Sequence, residues 1–321
     1  MKKRLKRGLL VVGLVLLAVA VYYGWARIFR ESRAVRVLTV SSDVPVPAGD
    51  EIRVACYNIA HGRGPGTGAD NWGTDERERP LEHIEAIAKQ IADSGASIVV
   101  LNEVDFDSKW SGGLDFARLI AEGVVFPFVV EQRNFDVTLP FYTLQFGNAI
   151  LSKFPVVDAR LLRFPTLSLW EDRFAGSHDG VVATVETSQG PIRVVAVHLE
   201  YRDEAIRVEA AKMIANLVTR QTVPLIAMGD YDSAPSGFVA HQMTDSRENA
   251  IHIMEGEAGM KTVRSAVPGP KDLTYPSEAP DRAIDWIFVS DGLNLTQCQV
   301  VSSKLSDHFM VVGTIRMAPA Q

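Results

Sequence analysis

The chain has 321 residues, 47% of them hydrophobic, and a formal net charge of −6. That length and apolar content support one large domain or two ordinary ones around a sizeable core, and exclude a disordered or collagen-like chain. Nine basic residues and one acid lie in the first 40, so residues 41–321 carry −14, which disfavours non-specific adhesion to nucleic acid or anionic lipid.

Lys2, Lys3, Arg4, Lys6 and Arg7 precede residues 8–26, a stretch without charge. Such a stretch, as a helix, spans about 28 Å, close to the hydrocarbon thickness of a bilayer. Tyr22, Tyr23 and Trp25 stand at its far end, where an aromatic belt belongs. Residues 1–38 are therefore read as a transmembrane anchor with basic flanks. A cleaved signal segment is the alternative, because Ala18-Val19-Ala20 resembles a cleavage tripeptide. The anchored form would sit in a bacterial inner membrane with its domain facing the periplasm or cell exterior, and the cleaved form would be secreted. Arg27, Arg30, Arg33 and Arg36 follow the span and oppose that orientation.

Residues 39–50, polar with two prolines, read as a linker. EIRVACYNIA at 51–60 is the first strand, followed by a Gly-rich loop at 61–74 with neither GxGxxG nor a Walker GK[ST]. Leu81, Ile84, Ile87, Ala88 and Ile91 recur at helical spacing and predict a helix over 80–94. SIVVLNEVD is a buried strand ending at Glu103, and residues 105–147 show no single pattern. GNAILS at 147–152 begins another strand. GVVATVET and PIRVVAVHLE form an antiparallel pair, the second ending at His198. A helix follows at 201–221, then VPLIAMGDYDS as strand and loop, a weaker helix and a Pro-rich loop within 235–280, and three closing strands, RAIDWIFVS, LTQCQVVS and MVVGTIRM. Hairpins mixed with strand–helix–strand steps argue an α+β fold. No boundary is visible after residue 51, so residues 51–321 are read as one domain. Cys56 and Cys298 lie in strand-like stretches, lack CxxC spacing, and are expected to be buried free thiols.

Four fragments put acids and histidines at strand ends: NEV at 102–104, VHLE at 197–200, GDYDS at 229–233 and SDHF at 306–309. Asp230 and Asp232 alone would suit a turn, but beside Glu103, His198, Asp307 and His308 they read as a hard-cation site. Asp307 and His308 are adjacent, so both reach one site only from a loop. Asp285 interrupts the apolar run AIDWIF, where an unpaired carboxylate is costly, and is the expected partner of His308. Asn58 and Asn148 also end apolar runs and could hold a carboxylate or a substrate oxygen. Of the other histidines, His61 is expected to face substrate, His83 to be exposed on its helix, His178 to lie in a loop beside Asp179, and His241 and His252 to be peripheral. HExxH and GxSxG are absent.

Taken together, YNI at 57–59, NEVD at 102–105, GNAILSKFP at 147–155, VHL at 197–199, GDYDS at 229–233, TYP at 274–276, DRAIDWIFVS at 281–290 and SDHF at 306–309 resemble the endonuclease/exonuclease/phosphatase superfamily. That superfamily includes DNase I-like nucleases, inositol polyphosphate phosphatases and neutral sphingomyelinases. YNIAHG and Arg79 lean toward its sphingomyelinase-like and uncharacterised bacterial branches. The resemblance implies a four-layer α/β/β/α sandwich with two central mixed sheets, Mg²⁺ or Mn²⁺, and hydrolysis of a phosphoester substrate. It implies Glu103 as metal ligand with Asn58 and Asp307 nearby, and Asp230 orienting or deprotonating water with Asp232 beside it. His308, paired with Asp285, would contact the scissile phosphate, and His198 the phosphate or leaving group. Arg282, Asn148 and Arg207 are expected to position substrate. Two departures stand out: Asp232 replaces the usual Asn, and Asn102 the usual Gln. The preferred substrate is a small-molecule or lipid head-group phosphodiester; an extracytoplasmic nuclease and a non-catalytic binding module are the alternatives. Nothing in the sequence assigns an oligomeric state.

Overall fold

The computed structural model describes residues 2–28, 35–41, 45–66, 79–139, 142–174, 176–220, 222–235, 249–264 and 269–318. Its strands are β1 (Val35–Thr39), β2 (Glu51–Asn58), β3 (Ile98–Ser108), β4 (Leu114–Asp115), β5 (Phe128–Leu139), β6 (Tyr142–Ser152), β7 (Val156–Leu162), β8 (Gly180–Thr187), β9 (Gly190–His198), β10 (Leu225–Asp230), β11 (Asp285–Val289), β12 (Leu293–Val301) and β13 (Met310–Met317). They form two mixed sheets. One runs β1-β5-β6-β3-β2-β13-β12 with β4 beside β3, and the other β11-β10-β9-β8-β7.

Each central strand is buried on both faces, which is why its sequence is a near-continuous apolar run. In β2, Val54 and Cys56 face the core between the sheets, while Ala55 and Tyr57 face an outer core with Ile84, Ile87 and Ile91 of helix Pro80–Ser94 and with Ile120 of helix Phe116–Val124. In β10, Ile226 and Met228 face inward, and Leu225 and Ala227 pack on helices Glu204–Thr219 and Ala250–Gly256. The period of two along a strand thus builds four layers, helix on sheet on sheet on helix. Helix Pro80–Ser94 takes the expected bounds, with Pro80 in its first turn and Gly95 ending it at φ 70.

Three expectations need correcting. Val35–Thr39, read as the end of the anchor segment and the start of the linker, pairs antiparallel with β5 and forms the sheet edge. The stretch 105–147 resolves into the end of β3, helix Phe116–Val124, and the long hairpin β5–β6. His83 is buried, not exposed, with Nε2 2.7 Å from Leu305 O. Cys56 and Cys298 are free, the first buried and the second partly so.

Helix Lys2–Ile28 contains a span, Lys3–Tyr22, of mean hydropathy 2.0 with none of it buried. Among the described residues this is the one helix long and apolar enough to cross a membrane. Near its end the Tyr22 hydroxyl donates to Thr138 O in β5.

Candidate active site

The two sheets bring polar strand ends together. In the second sheet, parallel β9 and β10 put His198 beside Asp230, and antiparallel β11 puts Asp285 on the other side of Asp230. In the first, β2 and β3 put Asn58 beside Asn102. Asn102 bridges the sheets: its NH₂ donates to Val197 O at 3.0 Å and to Asn148 Oδ1 at 2.8 Å, and its Oδ1 accepts from Asp230 N at 3.1 Å. Gly229 permits that approach, because a Cβ there would lie 2.0 Å from Val197 O.

Glu103 reaches the same place through a register shift in β3 between Leu101 and Val104, with φ 54 at Glu103 itself. A bulge of this kind re-aims one side chain without disturbing the rest of a strand. Asn58 NH₂ donates to Glu103 Oε1 and Asp230 Oδ2, both at 3.1 Å. The Ala60 N–H, which can be given only to an oxygen, takes Asn58 Oδ1 at 3.0 Å. Asn58 therefore offers its amide hydrogens to two carboxylates of the site and braces them.

His308 comes from the loop before β13, as adjacency with Asp307 required. Its Nδ1 lies 3.0 Å from Asp285 Oδ2, and its Nε2 is 3.7 Å from Asp230 Oδ2 and 4.0 Å from Asp307 Oδ1. Burial alone would lower the basicity of His308, but Asp285 and Asp230 hold it well above the usual histidine range. Burial also raises Asp230, and raises Asp232 further with Asp230 beside it. Asp307 is pushed up to about 7 by burial, with Glu103 and Asp230 adding to the rise against the lowering effect of His308. Glu103 goes the other way: burial would raise it, yet His61, His198 and the Asn58 amide bring it to about 2.

A cavity of about 400 Å³ opens onto these groups. Glu103, His198, Asp230, Asp232, Asp307, His308, Arg207 and Arg282 line it. Arg207 is clamped by Glu204 Oε2 at 2.7 Å and Glu200 O at 2.6 Å, and Arg282 pairs with Asp281 at 3.0 Å beside the Tyr275 ring. Asn148 is not in the lining. Fully buried behind it, its NH₂ donates to Gln132 Oε1 and Asp179 O, so it ties strands together and does not touch substrate, contrary to expectation. Asp285 likewise acts from behind His308.

Sequence reasoning undervalued His178, whose ring meets His198 edge-on at 5.7 Å and whose Nδ1 is 3.5 Å from Glu200 Oε2. Tyr275, 4.7 Å from the His308 ring, stood in the TYP fragment without a role. His241 lies outside the described residues.

The donor set suits a divalent cation. His198, Asp230 and Asp232 offer one nitrogen and two oxygens within 4.8 Å of one another, and three carboxyls with raised proton affinity, Asp230 buried and Asp232 and Asp307 partly so, crowd the same space. Hard cations relieve that crowding through oxygen ligands.

A family model described as Endonuclease/Exonuclease/phosphatase family matches residues 55–308. Among solved structures, an endonuclease/exonuclease/phosphatase from Beutenbergia cavernae is 20% identical with a TM-score of 0.58, over 84% of this chain and 72% of that one. Beta toxin from Staphylococcus aureus is 13% identical with a TM-score of 0.56, over 82% and 99%. The human Nocturnin catalytic domain with bound sulfate anion is 17% identical with a TM-score of 0.56, over 88% and 98%. At such identities the likeness is one of fold. Comparison with curated proteins gave no match.

Proposed function

The chain belongs to the endonuclease/exonuclease/phosphatase family, whose members are metal-dependent phosphoester hydrolases, and from that membership we propose a Mg²⁺- or Mn²⁺-dependent phosphodiesterase acting outside the cytoplasm on a small-molecule or lipid head-group substrate. The observation that carries this reading is the run Asp285–His308–Asp230 beside Glu103 in one cavity. When bound, a divalent ion held by Glu103 with Asp307 nearby supplies neutralisation of the phosphoryl charge. The chain's residues do the rest. Asp230, fixed by Asn58 and by its own backbone bond to Asn102, is placed to orient and deprotonate the attacking water. Its raised proton affinity suits a base. His308, kept charged by Asp285, donates from Nε2 to a phosphoryl oxygen. His198, on the neighbouring strand end, is placed to assist the leaving group, and Arg282 to hold the substrate's outer part.

Small size is favoured over nucleic acid by two facts. The cavity is about 400 Å³, within the range of small-molecule sites, and residues 41–321 carry −14. The apolar span supports the membrane-anchored location.

The full chain in detergent should hydrolyse a chromogenic phosphodiester with Mg²⁺ or Mn²⁺ and stop on chelation. Asp230→Ala and His308→Ala should each cost about a hundredfold to a thousandfold or more in kcat. Asp285→Asn, which leaves the fold but releases the imidazole tautomer, should cost about as much or more. Unchanged rates in these variants would sink the proposal, and degradation of plasmid DNA in preference to small diesters would replace it with the nuclease reading.

A further inference from the structure

At the cavity wall stands a second carboxylate–imidazole pair that the mechanism above leaves unused, with His61 in the lining and Asp105 buried behind it. His61 Nδ1 lies 2.8 Å from Asp105 Oδ1, and Trp110 Nε1 donates to Asp105 Oδ2 at 2.7 Å. The His61 ring is held edge-on between Trp110 and Phe146, with centroids 5.4 and 5.2 Å away. Asp105 is fully buried, so both of its oxygens are committed to these donors. A carboxylate only accepts, so His61 Nδ1 carries the hydrogen and Nε2 is left with a lone pair.

That lone pair is aimed at another acceptor: Nε2 is 3.4 Å from Glu103 Oε2. Two acceptors facing each other repel unless a cation lies between them, either a second proton on the ring or a metal ion. The spacing suits a metal. Two ligand atoms about 2.1 Å from one ion, at angles of about 90° to 109°, lie about 3.0–3.4 Å apart. His198 Nε2 stands 3.9 Å from the other oxygen, Glu103 Oε1. The backbone is bent to make this pair: Ala60, His61 and Glu103 have φ of 47, 53 and 54, a region costly for residues with side chains. Strain at three positions around one pair of side chains marks a functional contact more readily than a packing one.

We propose that His61 is a nitrogen ligand beside Glu103, held in its ligating tautomer by Asp105 and Trp110, and that the centre therefore prefers ions that accept imidazole, such as Mn²⁺ or Zn²⁺, over Mg²⁺. Ligand type governs such preferences: imidazole suits Zn²⁺ and oxygen suits Mg²⁺, while Mn²⁺, which also favours oxygen, is softer than Mg²⁺ and accepts an imidazole more readily. The inference rests on the metal-dependent reading of this cavity.

The test loads the full chain with Mn²⁺ and reads nitrogen coupling by pulsed electron paramagnetic resonance, with affinity from titration and from competition against Mg²⁺. Wild type should show nitrogen coupling and bind Mn²⁺ about tenfold or more tighter than Mg²⁺. His61→Gln should lose that coupling, apart from any part assigned to His198 by His198→Gln, and weaken Mn²⁺ about tenfold or more. Asp105→Asn is nearly isosteric and guards against a folding artefact. An asparagine offers one acceptor to two donors, so its NH₂ turns to His61 and favours the tautomer with hydrogen on Nε2; the same losses follow, with circular dichroism unchanged. Full coupling and affinity in both variants would overturn the assignment, as would bound Mn²⁺ without nitrogen coupling in wild type. Absence of any Mn²⁺ or Mg²⁺ binding would instead remove the metal-dependent function itself.

Discussion

His178 shows how a residue's value is set by what folding puts beside it. In the sequence it is a loop histidine next to Asp179, and nothing about its neighbours marks it. In the fold it lies against His198, with Glu200 near its Nδ1 and Arg202 holding Glu200 at 2.7 and 2.9 Å. Burial, and then His198, lower it from 6.5 to about 4. A histidine whose folded pKa is depressed is neutral in the fold and charged in the unfolded chain between those two values. The unfolded state then binds more protons, so stability falls as pH drops from 6.5 toward 4. At pH 5 the loss is at most about 2 kcal/mol, given that the side chain is partly exposed. His178→Gln should flatten the denaturant midpoint between pH 7.5 and pH 5 by about that amount. An identical slope in the variant would show that His178 titrates normally. The contrast with Asp285 is instructive. A carboxylate inside an apolar strand has to be paired, so its sequence position alone pointed to His308, whereas the partners of His61 and His178 come from strands with no local trace of the contact.

At the level of elements, the readable parts were those whose burial leaves a period. Helix Pro80–Ser94 and the central strands β2, β9, β10 and β13 were visible because most of the positions in each that face a layer are apolar. The hairpin β5–β6 was obscured by polar side chains that face one another inside the protein, among them Glu131 and Arg133 at 2.8 Å and Gln132 with Asn148 at 2.6 Å. Such buried polar pairs read as surface in a sequence. The bulge at Glu103 was equally invisible, since its cause is pairing with β6. Gly229 is the element-level joint that makes the site. With φ 138 and Val197 O 2.0 Å from where a Cβ would lie, it lets β10 close on β9 just before Asp230. Gly229→Ala should cost about 3 kcal/mol or more, lowering the melting temperature by about 6 °C or more, and should abolish activity. Gly190 has a similar φ of 117 but nothing within 4 Å of its absent Cβ, so Gly190→Ala should cost only about 1 kcal/mol of backbone strain. Equal losses at the two positions would mean that φ, and not contact between strands, sets the cost.

The whole molecule carries an apolar helix ahead of the sandwich, and we propose that the folded domain starts with β1 at Val35, ahead of the stretch that composition assigned to a linker. β1 makes five register pairs with β5, and Val40 N donates to Pro127 O at 2.7 Å just beyond it. Val35 packs against the core between the sheets, and Leu38 and Val40 against the outer core. Removing these residues would uncover apolar surface and leave the long strand β5 as an unprotected edge, a template for pairing with other chains. A chain that begins near residue 30 should therefore stay monodisperse by light scattering at the concentrations where one beginning at residue 41 aggregates, although both lack the apolar span. The longer form should keep its hydrolytic rate in solution, while the full chain sediments with membranes. If the two shortened forms behaved alike, β1 would be dispensable and the boundary would move back to the polar stretch before Glu51.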